Sequence, residues 1–210
     1  MSLLATMPRM NTPAFFDDIP PIVVTDPLAA ALGAAADGVI EYRYLDAVKL
    51  AGHSCPTVLG AWLTTRAALA RLYGDELPQR GEIRVELHKR LDEGVAGVVG
   101  AVAGLVTGAA NEGGFHGLAG RFSRRGLLHF GVPMTGEIRF TRLDSGRAVE
   151  AAQWAHGVPR PEGFAEKLQA ASRPNASSEA RQDFADMWQG WVRDIAADYA
   201  AKPAQIQVEG

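Results

Sequence analysis

The clearest pattern in the chain runs from Arg80 to His88, where Ile83, Val85 and Leu87 alternate with Glu82, Arg84, Glu86 and His88. A period of two places the apolar set on one face of a strand and the polar set on the other, which predicts a half-buried β-strand. A different period follows Cys55. Val58, Leu59, Trp62, Leu63, Leu69 and Leu72 recur at helical spacing and predict a helix from Pro56 to Tyr73 with one apolar stripe. Its ends carry the expected signals: Pro56 suits the first helical position, Cys55 becomes the N-cap, and Gly74 supplies the stop.

Other elements follow from the same patterns. Val39 to Tyr44 predicts a short strand, Leu45 to Ala51 a helical turn, and Asp92 to Gly108 a helix in which Gly97, Gly100, Gly104 and Gly108 fall nearly on one face. Each helical glycine costs about 1 kcal/mol relative to alanine, so that face implies close packing against another backbone. Asn111 to Gly126 is a glycine-dense basic loop. Strand-like stretches come after it at Leu127 to Phe130, Glu137 to Arg142 and Ala148 to Gln153. Pro161 to Ala171 and Ser178 to Ala200 predict helices separated by Arg173-Pro174-Asn175. On the second, Phe184, Met187, Trp188, Trp191 and Ile195 form a heavy apolar face suited to a core or a dimer interface.

Pro27 to Ala36 predicts a short helix, and the prolines at 8, 13, 20 and 21 predict an extended arm over residues 1–26 that packs on the domain or on a neighbour. The expected fold class is α+β: a mainly antiparallel sheet packed against the Pro56–Tyr73 and Asp92–Gly108 helices. Residues 27–160 would form this domain, with 161–210 a helical C-terminal extension packed on it.

Composition narrows the function. With 210 residues and a formal net charge of −3 from interspersed acids and bases, the chain lacks the broad basic footprint of a nucleic-acid or anionic-membrane binder. Small-molecule or protein partners are expected instead. The most apolar stretch, Val95 to Thr107, is about 13 residues against the roughly 20 needed to cross a bilayer. A single cysteine excludes an intrachain disulfide framework, and no basic, apolar, small-residue signal opens the sequence, so a reducing cytoplasm is the expected compartment.

That cysteine carries the candidate chemistry. In Ala51-Gly52-His53-Ser54-Cys55-Pro56, the thiol sits at the start of a helix, where unpaired amides and the helix dipole favour the thiolate. His53, two residues earlier, offers an imidazole as a second metal ligand or as a base toward the thiol.

At these residues the sequence resembles the FmdE-like family, named after a component of formylmethanofuran dehydrogenase. That family runs through His-Gly-His-x-Cys-Pro-Gly into a long helix, a strand and a helix ending in Thr-Gly-Cys. Here the counterparts are Leu50 to Thr57, the helix to Tyr73, the strand Glu82 to His88 and Val106-Thr107-Gly108-Ala109, so the resemblance spans residues 40 to 142. Ala51 stands where the family often has its first histidine, Thr57 where it has glycine, and Ala109 where it has the second cysteine. The resemblance implies a His/Cys transition-metal site, zinc or a similar metal, retaining His53 and Cys55. It also implies a homodimer, an expectation that the glycine face shares.

His116, flanked by Gly113, Gly114 and Gly117, is the candidate to complete the metal set, leaving an open position for Lewis-acid or water-activating chemistry. Two alternatives stand beside this reading. Cys55 or a histidine could serve as an axial haem ligand, with Phe115, Phe122 and Phe130 supplying the apolar pocket and His129 reaching the cofactor from its strand. Cys55 could equally act as the nucleophile of a thiol-dependent enzyme. His88 is expected on a solvated strand face and His156 in a loop. Arg121, Arg124 and Arg125 in the glycine-dense loop could clamp a phosphate or carboxylate.

Overall fold

The computed structural model describes residues 10–152 and 158–201 together with a backbone strand at Val208–Glu209, and its architecture is α+β. A 3₁₀ turn at Ala14–Asp18 leads into β1 (Ile22–Thr25), α1 (Pro27–Ala31), β2 (Val39–Tyr42), α2 (Tyr44–Ala51) and α3 (Pro56–Tyr73). Then come β3 (Ile83–Leu87), α4 (Ala96–Thr107), β4 (Leu128–Phe130), β5 (Ile138–Arg142) and β6 (Ala148–Ala151), followed by α5 (Phe164–Ala171), α6 (Ser178–Ala201) and β7 (Val208–Glu209). No helix among the described residues is long and apolar enough to cross a membrane.

The main sheet has the order β4-β3-β5-β6-β7. β3 pairs parallel with β4 and antiparallel with β5, and the remaining neighbours are antiparallel. The parallel pair follows from the connection between its strands, because α4 and the 111–126 loop carry the chain back before β4 begins. Alternation works as the sequence predicts. Ile83, Val85, Leu87, Ile138, Phe140 and Val149 are buried on the face toward α3 and α4. The opposite face carries a charged row in which Glu86 stands across from both His129 and Arg139, and Arg139 across from Glu150.

Three expectations change in detail. The extended arm expected over residues 1–26 instead carries, from Ala14 onward, a 3₁₀ turn and a strand. Phe16, Ile19 and Val24 are buried, and the β-branched run Ile22-Val23-Val24-Thr25 pairs antiparallel with β2. The helix expected from Asp92 starts at Ala96, because Gly94 at φ +58 interrupts the first turn. The α4 glycines admit this chain's own groups. A Cβ at Gly100 would lie 2.7 Å from the Phe130 ring, and one at Gly104 would lie 2.7 Å from the Ala109 carbonyl oxygen. The packing that compensates for them is thus internal.

The aromatic face of α6 is internal as well. Trp188 and Trp191 pack edge-on at 5.9 Å, and Phe164 of α5 meets Phe184, Trp188 and Trp191 at 5.8–5.9 Å. His156 and Gln153 lie outside the described residues.

Candidate functional site

Gly52, at φ +76, ends α2 in the left-handed conformation that glycine adopts without penalty and turns the chain toward α3. Cys55 is then the N-cap of α3, as its spacing before Pro56 predicts. Its Sγ accepts the Val58 amide at 3.4 Å, and the residue is buried. Ser54 beside it is held from two sides. Its Oγ shares a 2.9 Å hydrogen bond with the Tyr44 hydroxyl, and its carbonyl accepts from Trp188 Nε1 at 2.8 Å and Gln189 Nε2 at 3.3 Å. Burial pushes the Tyr44 phenol well above its ordinary pKa, against the opposing hydrogen bond from Ser54, so Tyr44 stays neutral. His53 is exposed, with Nδ1 3.0 Å from the Ala51 carbonyl. That oxygen can only accept, so Nδ1 carries the proton in this arrangement.

The remaining candidate ligands are placed differently. His116 is exposed on the 111–126 loop, and His129 on β4 is half-buried with Nε2 2.8 Å from the Gly126 carbonyl. Ala109 is buried beneath α4 with its carbonyl against Gly104. Among the described residues no three His, Cys, Asp or Glu side chains gather as a group able to hold a metal ion. His53, Cys55 and His116, the three expected ligands, are therefore not brought together as one such group. The three phenylalanines of the haem alternative are also dispersed. Phe130 packs on Gly100, Phe122 lines a different cleft, and Phe115 is exposed.

A second constellation is assembled around Asp26. The residue is 3% exposed at the start of α1, where Oδ1 accepts the Leu28 and Ala29 amides at 2.9 and 3.3 Å as an ordinary N-cap. The same oxygen accepts from Arg124 Nη2 at 2.6 Å, and Oδ2 accepts from Arg80 Nη1 at 2.8 Å. Burial alone would raise the Asp26 pKa, but the Arg80 hydrogen bond, the Arg124 charge and the Ala29 amide outweigh it and hold the carboxyl below its ordinary value. Arg124 responds in the opposite sense: burial lowers its pKa against the attraction of Asp26.

Arg80 is fully engaged, because its Nε and Nη2 also donate to the Leu105 carbonyl at 3.4 and 3.3 Å. Arg124 is not. Its side chain is 7% exposed, and its Nε is buried with no hydrogen-bond partner. The guanidinium rests on two glycines. A Cβ on Gly108 would lie 3.1 Å from Nη1, and one on Gly81 would fall on that nitrogen.

The 111–126 loop brings further arginines to this corner. Arg124 donates its backbone amide to the Phe115 carbonyl at 2.8 Å, and Ala110 donates to the Arg124 carbonyl at 3.0 Å, which fastens the loop base. At the tip, Leu118 and Arg121 exchange backbone hydrogen bonds of 2.8 and 3.0 Å around Ala119 and Gly120, both at positive φ, as in a primed two-residue hairpin. Phe122 follows at φ +65, with the Arg121 guanidinium 4.7 Å from its ring centre.

Between this loop and the entrance to β3 lies a cavity of about 460 Å³, lined by Arg80, Arg121, Arg124 and Arg125 and by a single acid, Glu82. Asp26 and Glu112 contact three of these arginines from outside the lining, so four guanidinium groups face three carboxylates. Arg121, Arg124 and Arg125 are legible in the sequence as a basic loop. Asp26, Arg80 and Gly81 are not, and the nearest sequence signal for Asp26 is its place before Pro27 as a helix cap.

The chain matches no family model, no curated protein and no solved structure.

Proposed function

We propose that this chain is a small-molecule-binding protein whose ligand is an anion, held in the cleft above Arg124. The observation that carries the reading is the partnerless Nε of a nine-tenths buried arginine at a cleft where guanidinium groups outnumber carboxylates. Buried polar groups in folded proteins are almost always paired, and a guanidinium pairs best with a carboxylate or phosphate. The cleft lies within the size range of small-molecule sites. Isothermal titration with sodium phosphate and sodium benzoate at low ionic strength tests it, beside the double variant Arg121→Gln, Arg125→Gln. Saturable binding of one probe, weakened about tenfold or more in the variant, is the expected result. Absence of binding by both probes at millimolar concentration, or undiminished binding in the variant, would overturn it.

A second reading keeps the FmdE-like resemblance. It takes His53 and Cys55 as ligands of a transition metal such as zinc, completed by His116 or water, or else of haem. The favouring observation is the place of Cys55 as the N-cap of α3, two residues after His53, with Sγ 3.4 Å from the Val58 amide. The same seat would serve a thiol nucleophile. Elemental and absorption analysis of the purified protein beside Cys55→Ser separates these. Metal or a haem band lost in the variant would support the second reading, whereas protein that neither carries nor takes up metal or haem would remove it. A homodimer working in the cytoplasm completes the proposal, and light scattering and cell fractionation test that part.

A further inference from the structure

The cleft is larger than its charge requires. A single water occupies about 30 Å³ of liquid, and one bare phosphate would leave most of about 460 Å³ to solvent. Beside the arginines, Gln79, Glu82 and Ser123, the lining offers the apolar side chains of Phe122, Leu127, Leu143 and Pro27.

Phe122 is the informative member. Its backbone sits at φ +65, a region that an aromatic L-residue seldom enters and that glycine occupies freely. The loop already uses glycine at Gly117 and Gly120, both at positive φ, so the backbone path itself calls for no ring at 122. The Phe122 side chain is not among those packed on the hydrophobic core. It lies under Arg121 and lines the cleft. Residues kept in an unfavourable conformation away from the core concentrate at ligand sites.

Resting on the anion reading above, we infer that the ligand is an organic anion, a phosphate or carboxylate joined to an apolar body of about one ring. Phe122 contacts the body while the arginines hold the anion. Arg124 reads the charge, and Phe122 with Leu127 and Leu143 reads what the charge is attached to.

The test is titration of the full chain with inorganic phosphate, phenyl phosphate and benzoate, repeated with Phe122→Gly and with Leu143→Ala. Phenyl phosphate or benzoate is expected to bind about tenfold or more tightly than inorganic phosphate, the tighter of the two identifying the head group. Phe122→Gly is expected to keep or raise the melting temperature while bringing the aromatic and inorganic probes within about threefold of each other. Leu143→Ala, on an exposed side chain, is expected to narrow the preference in the same direction. Inorganic phosphate binding as tightly as both phenyl phosphate and benzoate would overturn this inference and leave the anion reading standing. Failure of all three probes would remove the anion reading itself. A fall in melting temperature in Phe122→Gly with the probe preference intact would make the ring a structural part of the loop and overturn its assignment.

Discussion

The guanidinium of Arg124 fills the space that a side chain on Gly81 would need, and this relationship couples the entrance of β3 to the base of the 111–126 loop. Gly81 has φ +86, so alanine there meets two penalties, the backbone conformation and the collision. Gly94, at φ +58 with nothing within 4 Å of its would-be Cβ, carries the first penalty alone. Gly94→Ala is expected to destabilise by about 1 kcal/mol. Gly81→Ala should cost about 3 kcal/mol, because it expels a buried, charge-paired guanidinium. Denaturant melts of the two variants measure the difference, and equal losses would show that Arg124 swings aside freely.

The Asp26 knot has a defined pH dependence. Its folded pKa lies below the ordinary value of 3.8, so its contribution is complete above that pH and is lost as pH falls through the lower folded value. Asp144, held to about 2 by Arg142, and Glu150, lowered chiefly by the Gly136 amide, titrate in the same acid limb. Both are surface groups whose salt-screened pairs contribute little. Asp26→Asn keeps the helix cap but removes the charge between two arginines, and is expected to cost about 3 kcal/mol at pH 6. Melting temperatures from pH 6 to pH 2 should fall less steeply in Asp26→Asn than in the parent. Parallel curves would mean that the knot does not govern acid stability.

Why the helices and strands are legible in the sequence while the knot is not comes down to chain separation. β3 announces itself because Ile83, Val85 and Leu87 are two apart, and α3 because its apolar stripe and its cap lie within eighteen residues. Those signals are local, and burial of one face enforces them. Asp26 meets Arg80 and Arg124 across 54 and 98 residues. Nothing near Asp26 distinguishes it from any Asp-Pro helix start. The α4 glycines are legible as a close-approach face but not in what approaches: Phe130 and the Ala109 carbonyl come from the same chain. The two tryptophans of α6 likewise declare an apolar face, while the indole hydrogen bond to Ser54 spans 134 residues.

That indole bond leads to a prediction about thiol access. Trp188 Nε1 and Gln189 Nε2 both donate to the Ser54 carbonyl, so α6 is latched to the residue preceding Cys55. Trp188→Phe removes one donor and part of the aromatic cluster, and is expected to cost about 1–2 kcal/mol. Cys55, 8% exposed in the parent, should then react faster with a thiol-specific disulfide reagent under native conditions. An unchanged modification rate alongside a lowered melting temperature would show that the latch stabilises α6 without shielding the thiol.

Cys55 itself can be divided into a cap and a chemical group. As a cap it accepts the Val58 amide through sulfur at 3.4 Å, a weaker acceptor than a hydroxyl. Serine is among the preferred N-cap residues, and its oxygen would find the same amide, while Cys55 also belongs to the buried hydrophobic core. If capping is what the fold needs at this position, Cys55→Ser should leave stability unchanged or raise it by about 0.5 kcal/mol. A loss above about 2 kcal/mol would instead mean that the thiol is packed as a small hydrophobe. Denaturant melts and ligand titrations on the one variant then separate three roles. Stability should hold if the cap is what matters, anion binding should hold if the cleft above Arg124 is independent of this helix start, and only a metal or thiol function would be lost with the sulfur.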